Sequence, residues 1–216
     1  MTRKVSPKTS GGVRRSGRLT NCSRDRCGRR YGAFTLIELI VVVSIIAVLG
    51  ALVLSTAGYA RKKGARARAE TEIAAMSAAC ESNKADNGVY PGNSDTQTLD
   101  PTNEFDPTTA PPNDYTRASL WLYKQLSGDL TGNRQPSGKS YIAFKPNMLL
   151  PAPPSTATVT AIADPFGNSY GYSTKMAATG GGGFNPTFDL WSTAGAAPSP
   201  TPNPPATQQG LWIKNW

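Results

Sequence analysis

The sequence contains no histidine, and its 216 residues include only three cysteines. Histidine is the usual general base and the commonest metal ligand, so its absence argues against hydrolases and metalloenzymes. Cys22 and Cys27 lie in the N-terminal stretch, and Cys80 is left without an intramolecular partner if that stretch is removed. We therefore expect no disulfide framework. Cys80 is expected to be a small core residue, not a nucleophile.

Excess positive charge is also missing from most of the chain. Residues 1–33 hold ten Lys/Arg and one acid, whereas residues 34–216 hold thirteen of each sign. A basic stretch beside an apolar segment is typical of the cytoplasmic flank of a membrane span. We favour this interpretation of residues 1–33 over a DNA-binding arm. Beyond residue 33 the basic residues are mixed with equal acid outside Arg61–Arg68, so a nucleic-acid partner is not expected.

The run from Phe34 to Ala60 has a single charged residue, Glu38. At about 1.5 Å per helical residue, roughly 20 residues cross a hydrocarbon core of about 30 Å. The run is too long for the core of a secretory signal, and the Arg29-Arg30 pair fits a twin-arginine signal only loosely. We predict a membrane-spanning helix over 34–60.

Residues 61–86 continue this helix with a different pattern. They lack proline, and Ala69, Ile73, Met76 and Cys80 follow one another at spacings of four, three and four. These spacings place one apolar stripe on a helix. The segment Asn87-Gly88 and the following Tyr90-Pro91 predict the helix end near Asp86.

Residues 87–216 are expected to form one globular domain on that helix. A polar, proline-bearing surface loop is predicted over 92–112, and a short helix over 114–127 that is capped by Asn113 or Asp114 and ended by Gly128. Segments 140–145, 169–174 and 187–191 are short, aromatic and β-prone. A Pro-rich stretch, 196–209, precedes a terminal segment with two tryptophans that we expect to dock back. The predicted class is α+β, a long N-terminal helix packed on a small antiparallel sheet domain.

Residues 32–38, Gly-Ala-Phe-Thr-Leu-Ile-Glu, resemble the cleavage and methylation signature of type IV prepilins and type II secretion pseudopilins. The resemblance implies a prepilin peptidase that cuts between Ala33 and Phe34 and N-methylates Phe34, and it implies a type IV pilin-like fold. The family favours glycine as the last leader residue. This chain has Ala33 there and Gly32 one place earlier, so we expect slower processing. Cutting after Ala33 keeps Glu38 as the fifth mature residue.

A carboxylate in a membrane helix costs about 2.5 to 3.5 kcal/mol on insertion scales, so Glu38 needs a function or a partner. The resemblance implies that the partner is the new α-amine of Phe34 on a neighbouring subunit. The alternative is that Glu38 is merely tolerated in the first helical turn, close to water and the helix dipole.

Three further segments are similar to the major pseudopilin of type II secretion. They are the helix-ending segment 86–91, the segment 164–172, which looks like that family's hairpin, and segment 188–192, which looks like its last strand. Each is also ordinary turn or strand chemistry. Two departures are the absence of the family's usual proline, at Ser55, and the absence of acids after Asp189. Because calcium usually takes carboxylate oxygens, the family's calcium site is expected to be missing, and no cofactor is expected.

The resemblance thus implies a structural subunit of a type II secretion pseudopilus, not an enzyme. Its expected partners are further copies of itself, the prepilin peptidase, minor pseudopilins and the inner-membrane secretion platform. The expected location is the bacterial inner membrane, with the N-terminus cytoplasmic and the domain periplasmic. The alternatives are a type IV pilin or DNA-uptake pseudopilin, and a signal-anchored binding module that never polymerises and presents the loops 92–112 and 180–185.

Overall fold

The computed structural model describes residues 34–102, 112–196 and 209–216. The predicted leader 1–33, much of the predicted loop 92–112 and nearly all of the Pro-rich stretch lie outside these residues. The chain divides into two compact units, one ending at Val48 and the other comprising Leu49–Trp216.

A single long helix, α1, covers Leu36–Asn87. It ends at Gly88, whose φ of 79° is left-handed and whose N–H donates to the Lys84 carbonyl at 2.7 Å. Glycine adopts this backbone conformation without the steric cost that a Cβ would add. The backbone remains helical at Ser55, where the resemblance to pseudopilins predicts a proline.

The second half of α1 packs on the domain through the predicted stripe. Ala69, Ile73, Met76 and Cys80 are each at most 4% exposed, so the stripe drawn from the 4-3-4 spacing is confirmed. Leu122 and Leu126 of the next long helix, together with aromatic and aliphatic side chains of the sheet, complete one hydrophobic cluster. A second cluster gathers around Trp191 and Trp212. The core thus lies between α1 and the elements that follow it.

Those elements are short helices and two antiparallel sheets. Their bounds are α2 Ser94–Thr98, α3 Asp114–Ser127, β1 Leu149–Leu150, β2 Ala161–Ile162, β3 Gly171–Ser173, α4 Lys175–Thr179, β4 Asp189–Ser192 and β5 Ile213–Lys214. The helix α3 begins after Asn113, whose side chain accepts the Thr116 N–H at 2.8 Å, and it ends at the left-handed Gly128. Strands β1 and β2 pair in one sheet, and β3, β4 and β5 pair in that order in the other. A long helix followed by small antiparallel sheets confirms the predicted α+β, type IV pilin-like class.

Two local predictions are wrong. Residues 140–145 form no strand, because the Tyr141 and Ile142 N–H groups donate to the Leu126 carbonyl and close the end of α3 instead of a ladder. The region 92–112 is not all loop, since its start folds into α2. There the Asn93 side chain accepts the Thr96 N–H, and the Thr96 hydroxyl accepts the Asn93 N–H. This reciprocal cap makes a helix from a segment whose composition is typical of loops.

Cys80 provides a test of the packed helix. Its side chain is fully buried, and burial raises the pKa of its thiol to about 12 from an ordinary value of 9.0. Because the thiolate is the reactive form, we expect iodoacetamide at pH 8 to alkylate Cys80 about 1,000-fold more slowly in the folded chain than in urea. The mass of the Cys80 peptide measures this rate. Equal rates in both states would contradict the packing of this helix face.

Candidate functional site

The first turn of α1 contains a reciprocal cap between Thr35 and Glu38. The Thr35 N–H and hydroxyl both donate to Glu38 Oε2, at 2.9 and 2.7 Å, and the Glu38 N–H donates to the Thr35 hydroxyl at 3.3 Å. This is the capping box that satisfies otherwise unpaired N–H groups at a helix start. The Glu38 carboxylate is therefore held in place by its own chain.

The cap uses only one of the two carboxylate oxygens. Among the residues that the structure describes, Glu38 Oε1 accepts no hydrogen bond, and the site lies at the end of the chain's exposed apolar helix. An ionised carboxylate has about four acceptor positions and binds ammonium donors strongly. The arrangement therefore leaves acceptor capacity for an incoming amine without breaking the cap.

Phe34 lies immediately before the capping residue, outside the helix, and is 81% exposed. Gly32 and Ala33, the other two residues of the predicted cleavage site, lie outside the described residues. Cleavage before Phe34, methylation of Phe34 and the assembly role of Glu38 remain predictions.

The role of Thr35 was not predicted from the sequence. Thr35 was considered only as part of the signature 32–38, although Thr-Leu-Ile-Glu at 35–38 has the spacing of a capping box before an apolar run. That spacing was the available signal. Thr35 is a positioning residue, because it acts on the Glu38 carboxylate and would not itself contact the amine.

The helix beyond the cap is apolar on all sides. Fifteen large apolar side chains between Phe34 and Leu54 are 47% or more exposed. Burying each one would gain about 1.5 to 3 kcal/mol, so this segment needs lipid or other helices around it. Of the described helices, α1 alone has the length and composition to cross a membrane.

The structure brings together the three segments that look like a pseudopilin. Gly171 and Tyr172 of the second segment pair with Trp191 and Leu190 of the third. The Ser192 hydroxyl donates to Asp164 Oδ2 at 2.6 Å. The first segment joins them, since the Tyr172 hydroxyl donates to the Pro91 carbonyl at 2.7 Å.

The start of β4 is held by hydrogen bonds. The Asp189 carboxylate accepts the N–H groups of Phe184 at 2.9 Å and Asn185 at 2.8 Å, and burial raises its pKa above the ordinary value. Within the described ranges no group of three or more Cys, Asp or Glu side chains is placed to hold a metal ion. The missing calcium site remains a prediction.

Comparison with known proteins bears on the N-terminal part of the chain. The model of the prokaryotic N-terminal methylation motif matches residues 28–54, which include the predicted cleavage site, the Thr35–Glu38 cap and much of the apolar run. No curated protein and no solved structure matches the chain. The chain therefore carries, on a long apolar N-terminal helix, the methylation motif of type IV pilin-like substrates of prepilin peptidases.

Proposed function

We propose that the chain is a structural pseudopilin that assembles, after cleavage and N-methylation at Phe34, into the pseudopilus of a type II secretion system. The observation that carries the proposal is the methylation motif at the start of an exposed, membrane-length apolar helix. Before assembly the helix lies in the inner membrane, with the leader in the cytoplasm and the domain in the periplasm. The minor pseudopilins and the inner-membrane platform then act on it there.

The Glu38 carboxylate supplies the register between subunits. Cleavage creates an ammonium group at Phe34, and Glu38 Oε1 of a neighbouring subunit accepts from it while Thr35 holds Oε2. Inside a bundle of apolar helices the local dielectric is low, so an unpaired charge is costly and a paired one fixes the stagger. The apolar side chains that lipid covers in the precursor are then covered by neighbouring helices.

Contact among the three pseudopilin-like segments supports a secretion pseudopilin over an adhesive pilin. If the three segments lay apart, the ordinary preference of their residues for turns would explain the resemblance. Instead, they form one unit around the β3–β4 pair and the end of α1. The balanced charge of residues 34–216 gives no support to a DNA-uptake role.

Deletion of the gene in its own host tests the proposal. We expect exoproteins to accumulate in the periplasm and to be secreted again when the intact gene is supplied, while surface pili and DNA uptake stay normal. Loss of pili or of DNA uptake with normal secretion would favour the type IV pilin or DNA-uptake alternative. An unchanged phenotype in all three assays, together with a retained leader, would favour the signal-anchored module.

A further inference from the structure

Three consecutive cations, Arg61, Lys62 and Lys63, follow the apolar run that ends at Ala60. We call these three residues the basic collar. All three are exposed, and in the part of the chain that the structure describes none of them forms an ion pair. No acid of the described ranges therefore neutralises the charge of the collar.

The basic collar lies between two different environments. On its N-terminal side Tyr59 is 73% exposed at the end of the apolar run. On its C-terminal side Arg66 donates through Nη1 to the Leu211 carbonyl at 2.7 Å, and Ala69 is buried. The collar thus occupies the short length of helix between the apolar run and the packed domain.

This position corresponds to the depth of lipid headgroups. The run of 27 residues from Phe34 to Ala60 rises about 40 Å as a helix, against about 30 Å for the hydrocarbon core and 40 to 45 Å with the headgroups. Tyrosine is enriched at this interface, and Lys and Arg extend their charged ends to it.

The distribution of the cations around α1 favours lipid over a protein partner. Successive helical residues are turned by about 100°, so the three side chains point in three directions around the helix. In the precursor, before neighbouring subunits pack around α1, a single protein partner would dock on one face, whereas lipid headgroups surround the helix. Because the partner must be anionic and present on all sides, we infer that the basic collar binds the phosphates of anionic lipid headgroups on the domain side of the membrane. The inference rests on the proposed membrane insertion.

Photolabelling of the full chain in lipid nanodiscs tests the inference. The probes are phosphatidylglycerol and phosphatidylcholine, each with the same photoreactive headgroup tag, and labelled peptides are mapped by mass spectrometry so that labelling of residues 59–68 is counted apart from the leader. A cation near an anionic surface contributes roughly fivefold in affinity. We therefore expect the phosphatidylglycerol probe to label this segment at least about tenfold more than the phosphatidylcholine probe.

The variant R61Q/K62Q/K63Q should lose this preference, and R61K/K62R/K63R should keep it, because charge and not side-chain shape is recognised. A second triple variant, in which Lys124, Lys139 and Lys145 are changed to Gln, removes the same charge from the domain and should label like the wild type.

Equal labelling of residues 59–68 by the two probes, or an unchanged preference in R61Q/K62Q/K63Q, would overturn the inference. The mass of the N-terminus after exposure to prepilin peptidase is measured on the same samples. If the chain is cleaved normally but shows no lipid preference, only the inference about the basic collar is refuted. If the chain is not cleaved, the proposed function is refuted, whatever the labelling of residues 59–68.

Discussion

Glu38→Ala is expected to abolish filament assembly in a host that supplies the whole secretion system. The change removes the carboxylate that would pair with the Phe34 ammonium group of the next subunit. Leaving one member of a desolvated ion pair without its partner costs about 2 to 5 kcal/mol, and a filament repeats this cost at every subunit. We expect sheared filaments and secreted exoprotein to fall to one tenth or less of the wild-type level, measured by immunoblot of the sheared and medium fractions.

Two matched variants separate the possible causes of this effect. Glu38→Gln retains an acceptor oxygen for the Thr35 cap but lacks the charge, so it should fail as Glu38→Ala does. Glu70→Ala removes an exposed carboxylate from the same helix beyond the apolar run and should assemble normally. Normal assembly of Glu38→Ala would show that the carboxylate sets no register. If Glu38→Gln assembled normally and Glu38→Ala did not, Glu38 would act through the hydrogen bonds of the cap and not through its charge.

Gly171→Ala is expected to be the most destabilising single-methyl change in the β3–β4 pair. A Cβ at Gly171 would lie 2.2 and 2.4 Å from two atoms of the Trp191 ring, which is fully buried. The ring is enclosed by Tyr115 and Trp212, at centroid distances of 5.7 and 6.0 Å, so it has little space to move. Overpacking of this kind costs about 1 to 3 kcal/mol, and we expect a loss of about 3 kcal/mol in the free energy of unfolding.

Equilibrium urea unfolding of the full chain in detergent, followed by tryptophan fluorescence, measures this loss. Gly181→Ala is the matched control, because a Cβ there would meet no atom within 4 Å and the backbone is not left-handed. The control should be neutral or slightly stabilising. Equal stability of the two variants would contradict the close approach of Gly171 to Trp191.

The parts of the fold that could be predicted are those in which a local sequence pattern alone determines the structure. The buried stripe on α1 follows from the 4-3-4 spacing, and the bounds of α3 follow from the cap at Asn113 and the glycine at position 128. The sheets could be predicted only as a class. Strands β1 and β2 have two residues each, too few for a pattern of alternation, and their pairing across the chain is set by tertiary packing.

The stretch 140–145 shows why the alternation of apolar and polar residues was not enough to predict a strand. Its Tyr141 and Phe144 rings do pack against the core, so the apolar pattern is real. The Tyr141 and Ile142 N–H groups, however, donate to the Leu126 carbonyl, because the last carbonyls of α3 need donors. Sequence pattern reports which side chains are buried, whereas the competition between helix end and strand for the same N–H groups is decided in three dimensions.

At the candidate site, Glu38 could be predicted from the sequence, because a carboxylate in lipid is costly. The sequence did not reveal that Thr35 donates to one oxygen only and that the other accepts no hydrogen bond from the described residues, because that distinction is geometric. The contact among the three pseudopilin-like segments likewise depends on strand pairing that no local pattern specifies.

The mass of the N-terminal peptide tests the central claim most directly. In a host that carries the prepilin peptidase, the chain should yield a peptide that begins at N-methylated Phe34. In the same host without the peptidase it should yield the uncleaved leader. A chain that retains residues upstream of Phe34 in both hosts would contradict the account. A chain cut after Gly32, which would move Glu38 to the sixth position, would contradict the assigned register.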